Sequence, residues 1–183
     1  MYLDLAMGEK IDSKKILERF HYNCFKCGKD LSNCQSEKER PIDHTLPIFY
    51  LWPYTTKNAT LLCQDHNGKK QGLWPSDFYE DAKLKELSII TGLNCKLISG
   101  PPVYYPEAIK KLQDPAIVDN LLKKNSRYFD EIVTLRNRIK NDVGLDFFEY
   151  STILSADHKK RANDRFDETY GKRLIRQKKI KWS

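Results

Sequence analysis

The sequence predicts an α+β fold in two parts: a small metal-stapled module containing two strands, then a mainly helical, basic C-terminal part. Three observations predict it. Two pairs of soft metal ligands, Cys24-x-x-Cys27 and Cys63-x-x-His66, bracket one stretch of chain. Inside the bracket lie two short extended pieces, RPIDHTL and NATLLC, joined by a loop rich in aromatics, Pro and Thr. Beyond SGPPVYYP, which holds three prolines and one glycine, the apolar spacing is helical. The division falls at that segment, as residues 1–98 and 99–183.

The elements follow in order. KIDSKKILERFH offers Ser13 as an N-cap and places Ile16, Leu17 and Phe20 at helical spacing, so a short helix leads into the Cys24 turn. After the two strands, a helix of about two turns begins near Gln64 and ends at Gly72. LWPSDFYEDAKLKELSIITG reads as one further helix, with Pro75 at its start, Ser76 or Asp77 as cap, and Gly92 as its stop. PEAIKKL, PAIVDNLLKK, SRYFDEIVTLRNRIKND and a charged segment from Ser155 supply the C-terminal helices. No internal repeat or low-complexity tract interrupts them.

With 183 residues the chain suffices for one well-packed domain or two small ones. No apolar run reaches the roughly 20 residues of a membrane span. The start MYLDLAMGEK lacks a basic segment followed by an apolar core, which argues against a secretory signal. Lys and Arg total 32 against 25 Asp and Glu, a net charge of +7. The first 100 residues carry 14 basic and 13 acidic side chains, the remainder 18 and 12, so the excess sits late. YGKRLIRQKKIKWS holds six basic residues, Lys172, Arg173 and Arg176 among them, and no acidic one. Such a run suits a polyanion partner or a solvated tail.

Five cysteines at uneven spacing, without a signal peptide, favour a reducing, cytoplasmic setting over a disulfide framework. The polar segment KDLSNCQSEKER after Cys27 lacks a βαβ context, so metal chemistry is expected rather than thioredoxin-like exchange. Two ligands about a tight turn and two more an i, i+3 step apart on a first helical turn make a closed Cys3His tetrahedral site for structural Zn²⁺. In a plain ribbon the pairs stand roughly 15–20 residues apart. Here 35 residues separate Cys27 from Cys63, and they contain Asp43-His44.

The ordered pattern C-x-x-C … DH-x-LP … N … LLC-x-x-HN-x-x-K resembles the HNH endonucleases of the ββα-metal superfamily. The resemblance spans roughly Cys24 to Tyr79, and NATLLC…HNGKK…WPSDFY is similar to HNH-type restriction endonucleases. It implies a zinc-stapled ββα-metal module and a Mg²⁺-dependent DNA endonuclease, restriction-type, with one site per chain acting on double-stranded DNA. A homing, nicking or phage-type HNH nuclease shares that chemistry. A silent zinc-stapled DNA-binding protein is the alternative from another class. One site cuts one strand, so double-strand cleavage needs a homodimer or two nicks. The helical part then supplies DNA binding, dimerisation or both.

The implied roles suit the residue types. His44, with an ordinary pKa of about 6.5, can take a proton from an attacking water at neutral pH. Asp43 and Asn67 offer hard oxygen ligands for Mg²⁺. Asn58 would hold the His44 strand through side-chain to backbone hydrogen bonds, or orient the imidazole. Lys69 and Lys70 would approach phosphate, or stand as solvated helix charges. Many family members carry Cys-x-x-Cys and then His where this chain has Cys63, His66 and Asn67. Swapping the roles, with His66 catalytic and Cys34 completing the zinc site, conflicts with the three-residue step from Cys63 to His66. Phe49, Tyr50, Trp52 and Tyr54 in the loop form either a DNA-facing wedge or, the favoured expectation, a small core over the module.

Overall fold

A computed structural model describes Leu5, residues 8–34 and residues 36–171. Lys172, Arg173 and Arg176, the basic residues expected to meet DNA, lie outside that range. The protein is mixed α/β and mostly helical, with one small two-stranded sheet. It divides into two compact units, one ending at Ala108 and the other beginning at Ile109.

In the N-terminal unit, α1 (Ser13–Arg19) is capped by Asp12, whose carboxylate accepts from the Lys15 N–H at 3.0 Å. The carboxylate therefore does what Ser13 was expected to do, one residue earlier. The chain leaves α1 through His21 and Tyr22 at φ of 50° and 56° and enters the Cys24 turn. That turn closes by a bridge between Asn23 and Asp30, with the Cys24 N–H on the Lys29 carbonyl and the Gly28 N–H on the Cys24 carbonyl. Gly28 sits at φ 73°, where a side chain would be strained.

Strands β1 (Ile42–His44) and β2 (Ala59–Leu61) pair antiparallel, with Ile42 opposite Leu61, Asp43 opposite Thr60 and His44 opposite Ala59. All three β2 residues are buried, and the Phe25 N–H donates to the Leu61 carbonyl at 2.9 Å. The cysteine turn is thereby hydrogen-bonded to the sheet. Ile16, Phe20, Phe25, Leu31, Leu46, Leu61, Leu62, Trp74, Leu84 and Leu87 build a single core around β2. Each buried aliphatic or aromatic side chain contributes about 1.5–3 kcal/mol, enough to hold so short a sheet.

Helix α2 (Gln64–Lys70) follows β2 directly. The single helix expected over 74–91 is instead two: α3 (Pro75–Phe78) and α4 (Asp81–Thr91). Trp74, not Ser76 or Asp77, occupies the cap of α3. Tyr79 and Glu80 between the helices are extended, because the buried Tyr79 ring sits edge-on to both Phe25 and Phe78. Lys26 then donates to the freed Phe78 carbonyl at 3.0 Å, satisfying a helix end. Gly92 ends α4 at φ 70°, and α5 (Cys95–Ser99) is capped by Asn94.

Residues 100–105, expected as a boundary, are bonded to this unit. Ser76 donates to the Gly100 carbonyl, the Trp52 indole to the Val103 carbonyl, and the Tyr105 N–H to the Tyr50 carbonyl. Helix α6 (Pro106–Lys111) spans the division between the units.

The C-terminal unit contains α7 (Pro115–Lys124), α8 (Phe129–Val143) and α9 (Ala156–Phe166). Asp114 and Ser155 cap α7 and α9, and Gly144 at φ 78° ends α8. Val118, Leu121, Ile132, Leu135, Ile139, Phe147 and Phe148 are buried there. Among the described residues, no helix is long and apolar enough to cross a membrane.

Candidate metal centre and adjoining acid–histidine site

Cys24 and Cys27 stand on the turn that Gly28 closes, while Cys63 occupies the cap of α2 and His66 its first turn. The ligand atoms of these four residues all lie within 4.8 Å of one another. His66 Nδ1 is 3.2 Å from Cys63 Sγ and 3.6 Å from Cys24 Sγ. A tetrahedral ion with bonds of about 2.0–2.3 Å would set ligand atoms roughly 3.5–3.8 Å apart, so the quartet can hold a metal ion. Cys34 is not part of the quartet. Cys24 and Cys63 are buried and Cys27 is exposed. Burial pushes the Cys24 thiol up to about 11, and a bound cation is what would release that proton.

The second site lies on β1. Asp43 is buried, and its Oδ2 lies 2.6 Å from Nζ of Lys70 at the end of α2. The same Nζ donates to the His44 carbonyl at 2.7 Å. Lys70 was expected at a phosphate or in solvent; its side chain is 0% exposed. The reason is periodicity, since Lys70 stands seven residues after Cys63 and four after His66, on the helix face turned to the sheet. Lys69, one residue earlier, is exposed.

His44 stacks on Tyr54 with ring centroids 3.9 Å apart. The Tyr54 hydroxyl donates to the Ile42 carbonyl at 3.2 Å, fixing the cover in place. His44 Nε2 is shielded from solvent and has no hydrogen-bond partner. Burial first, then the Lys70 charge, lowers the His44 pKa to about 4, so the ring is neutral at pH 7. Burial raises the Asp43 pKa although Lys70 opposes it, and burial lowers that of Lys70 against the pull of Asp43. The Tyr79 hydroxyl is buried without a partner and is pushed well above its ordinary value by burial, then by Asp43 and Cys24.

Asn58 is buried at the far end of the hairpin. Its amide donates to the carbonyls of Leu46 and Pro53 at 3.0 and 2.8 Å, and its oxygen accepts from the Leu46 N–H at 2.7 Å. It ties both ends of the aromatic loop to each other. Thr45 and Thr60 hydroxyls meet at 2.6 Å beside it. Asn67 is half-buried on α2, three residues before Lys70. The aromatic loop forms core: Tyr50, Trp52 and Tyr54 pack on it, Tyr50 edge-on to Trp74, while Phe49 is exposed.

Two features of the site were missed in the sequence, the burial of Lys70 and the Tyr54 cover. The i, i+4, i+7 row Cys63–Asn67–Lys70 was the available signal for the first; nothing local signals the second. No protein-family model matches the chain, and no curated protein and no solved structure matches it.

Proposed function

We propose that the chain is a divalent-metal-dependent DNA endonuclease of the HNH type, with Zn²⁺ held by Cys24, Cys27, Cys63 and His66. The observation that carries this is the juxtaposition, across α2, of a metal-competent quartet with a buried carboxylate and a neutral histidine on adjacent residues of one strand. In this scheme Asp43 and Asn67 hold Mg²⁺, which when bound supplies charge neutralisation at the scissile phosphate. The Asp43 carboxylate and the Asn67 amide oxygen are hard donors of the kind that would hold that ion. His44 accepts the proton of the attacking water, for which Tyr54 must swing from its ring. Asn58 positions the loop that carries Tyr54. Lys69 contacts backbone phosphate, as do Lys172, Arg173 and Arg176. A restriction-type enzyme, acting in the cytoplasm as a homodimer on double-stranded DNA, is the specific form we favour.

A catalytically silent zinc-stapled DNA-binding protein is the second candidate. The observation in its favour is that His44 Nε2 is covered and Asp43 already holds a cation.

Cleavage of supercoiled plasmid with Mg²⁺ separates the two. The wild-type chain should cut, and His44→Ala should cut about 10²–10⁴-fold more slowly. Equal cutting by both removes His44 as the base. DNA binding by the wild type without cutting selects the silent protein.

A further inference from the structure

Lys70 is a fully buried amine, and no step proposed above uses it. Its Nζ has two described partners, the Asp43 carboxylate at 2.6 Å and the His44 carbonyl at 2.7 Å. Both belong to the strand expected to carry the chemistry. The Asp43 side chain is itself only 10% exposed, so water does little to screen the pair. The start of α2 is fixed by Cys63 and His66, so the metal quartet also sets where Lys70 arrives on β1.

We infer that Lys70 is a positioning residue that supplies Asp43 with a cation of its own and thereby weakens the hold of that carboxylate on a divalent metal. This rests on the proposal that Asp43 is a Mg²⁺ ligand. A fixed positive charge a few ångströms from a dication costs over 1 kcal/mol even at the dielectric of water, which corresponds to about tenfold in affinity. Until further negative charge arrives, the lysine keeps the carboxylate oriented and the dication weakly bound. A DNA phosphate brings that charge. Metal and DNA therefore bind with mutual reinforcement, and the strand keeps its geometry in the metal-free state. A purely structural lysine would still be coupled to Asp43 in the melts but would leave the Mg²⁺ midpoint where it is.

Thermal melts of the full zinc-loaded chain across a MgCl₂ titration, without DNA, test this. The chains are wild type, Lys70→Met, Asp43→Asn and the double variant. Lys70→Met should melt below wild type without Mg²⁺ and should respond to Mg²⁺ at concentrations about tenfold lower. The double variant, with both charges removed, should melt above Lys70→Met and show no Mg²⁺ response. An unchanged Mg²⁺ midpoint in Lys70→Met overturns the inference. So does an equal cost of Lys70→Met with and without Asp43→Asn. If Lys70→Met does not fold alone, recovery of folding in the double variant supports the inference and failure to recover overturns it. Plasmid cleavage is read separately. The Mg²⁺ shift without cleavage keeps the counter-ion and removes the nuclease. Cleavage by the wild type with no shift in Lys70→Met does the opposite.

Discussion

The N-terminal and C-terminal units each bury a cation against a carboxylate, and the two pairs are built differently. In the C-terminal unit, Arg136 is 1% exposed and meets Asp146 with both Nε and Nη2. Its remaining donors reach Asn137, Asn163 and the Ala162 carbonyl, and Lys140 adds a second cation 3.0 Å from Asp146. Burial would raise the Asp146 pKa, but the hydrogen bonds of Arg136 and Lys140 outweigh it and leave the carboxyl below its ordinary value. In the N-terminal unit, Lys70 offers a point charge to Asp43, no second cation is described there, and burial wins: the Asp43 pKa rises. A planar guanidinium with every donor placed makes a structural tie. A lone ammonium on a carboxylate whose charge is poorly compensated marks a place where a ligand has something to gain.

The largest effect that would sharpen this contrast is metal removal. Chelation, or Cys63→Ala, should remove on the order of 10 kcal/mol from the N-terminal unit. Fluorescence of Trp52 and Trp74 should red-shift while far-UV circular dichroism keeps the share of its helical signal that α7, α8 and α9 supply. Simultaneous loss of both signals would show one cooperative unit and break the contrast.

Arg136→Ala should come next, at about 3 kcal/mol, because it leaves the partly buried Asp146 with Lys140 alone and takes the donor from Asn137 and Asn163. Its cost, measured by denaturant melts, should be the same with and without Mg²⁺. A Mg²⁺-dependent cost would mean that the C-terminal pair also belongs to a metal site.

Acid should separate the units by a smaller margin. The His44 pKa is depressed from 6.5 to about 4, so the unfolded chain binds a proton that the folded chain refuses. That contribution to stability is present above pH 6.5 and lost as the pH falls towards 4. Asp43, with its raised pKa, acts in the opposite sense, so the comparison is wild type against His44→Gln, which share it. Stability of wild type relative to His44→Gln should fall between pH 6.5 and 4 in urea melts. Asp146, with its depressed pKa, contributes stability above 3.8 that is lost only as the pH drops below that value. A flat difference across pH 4–6.5 would show that the ring is not buried as described.

The metal quartet and the two strands were legible because their signals are local. Cys24-x-x-Cys27 followed by Gly28 encodes a turn, Cys63 and His66 are neighbours one helical step apart, and NATLLC is a short apolar run. The break at Tyr79 and Glu80 was not legible, because Phe25, fifty-four residues earlier, is what draws the Tyr79 ring inward. By itself, then, the sequence determined the ligand spacing, the strand pair and the helix stop at Gly92. Only the tertiary structure decided that Tyr54 covers His44 and that Lys70 answers Asp43 instead of solvent. Backbone conformation and i, i+3 neighbours are set within a few residues, whereas the partner of a buried charge is chosen by how distant segments pack.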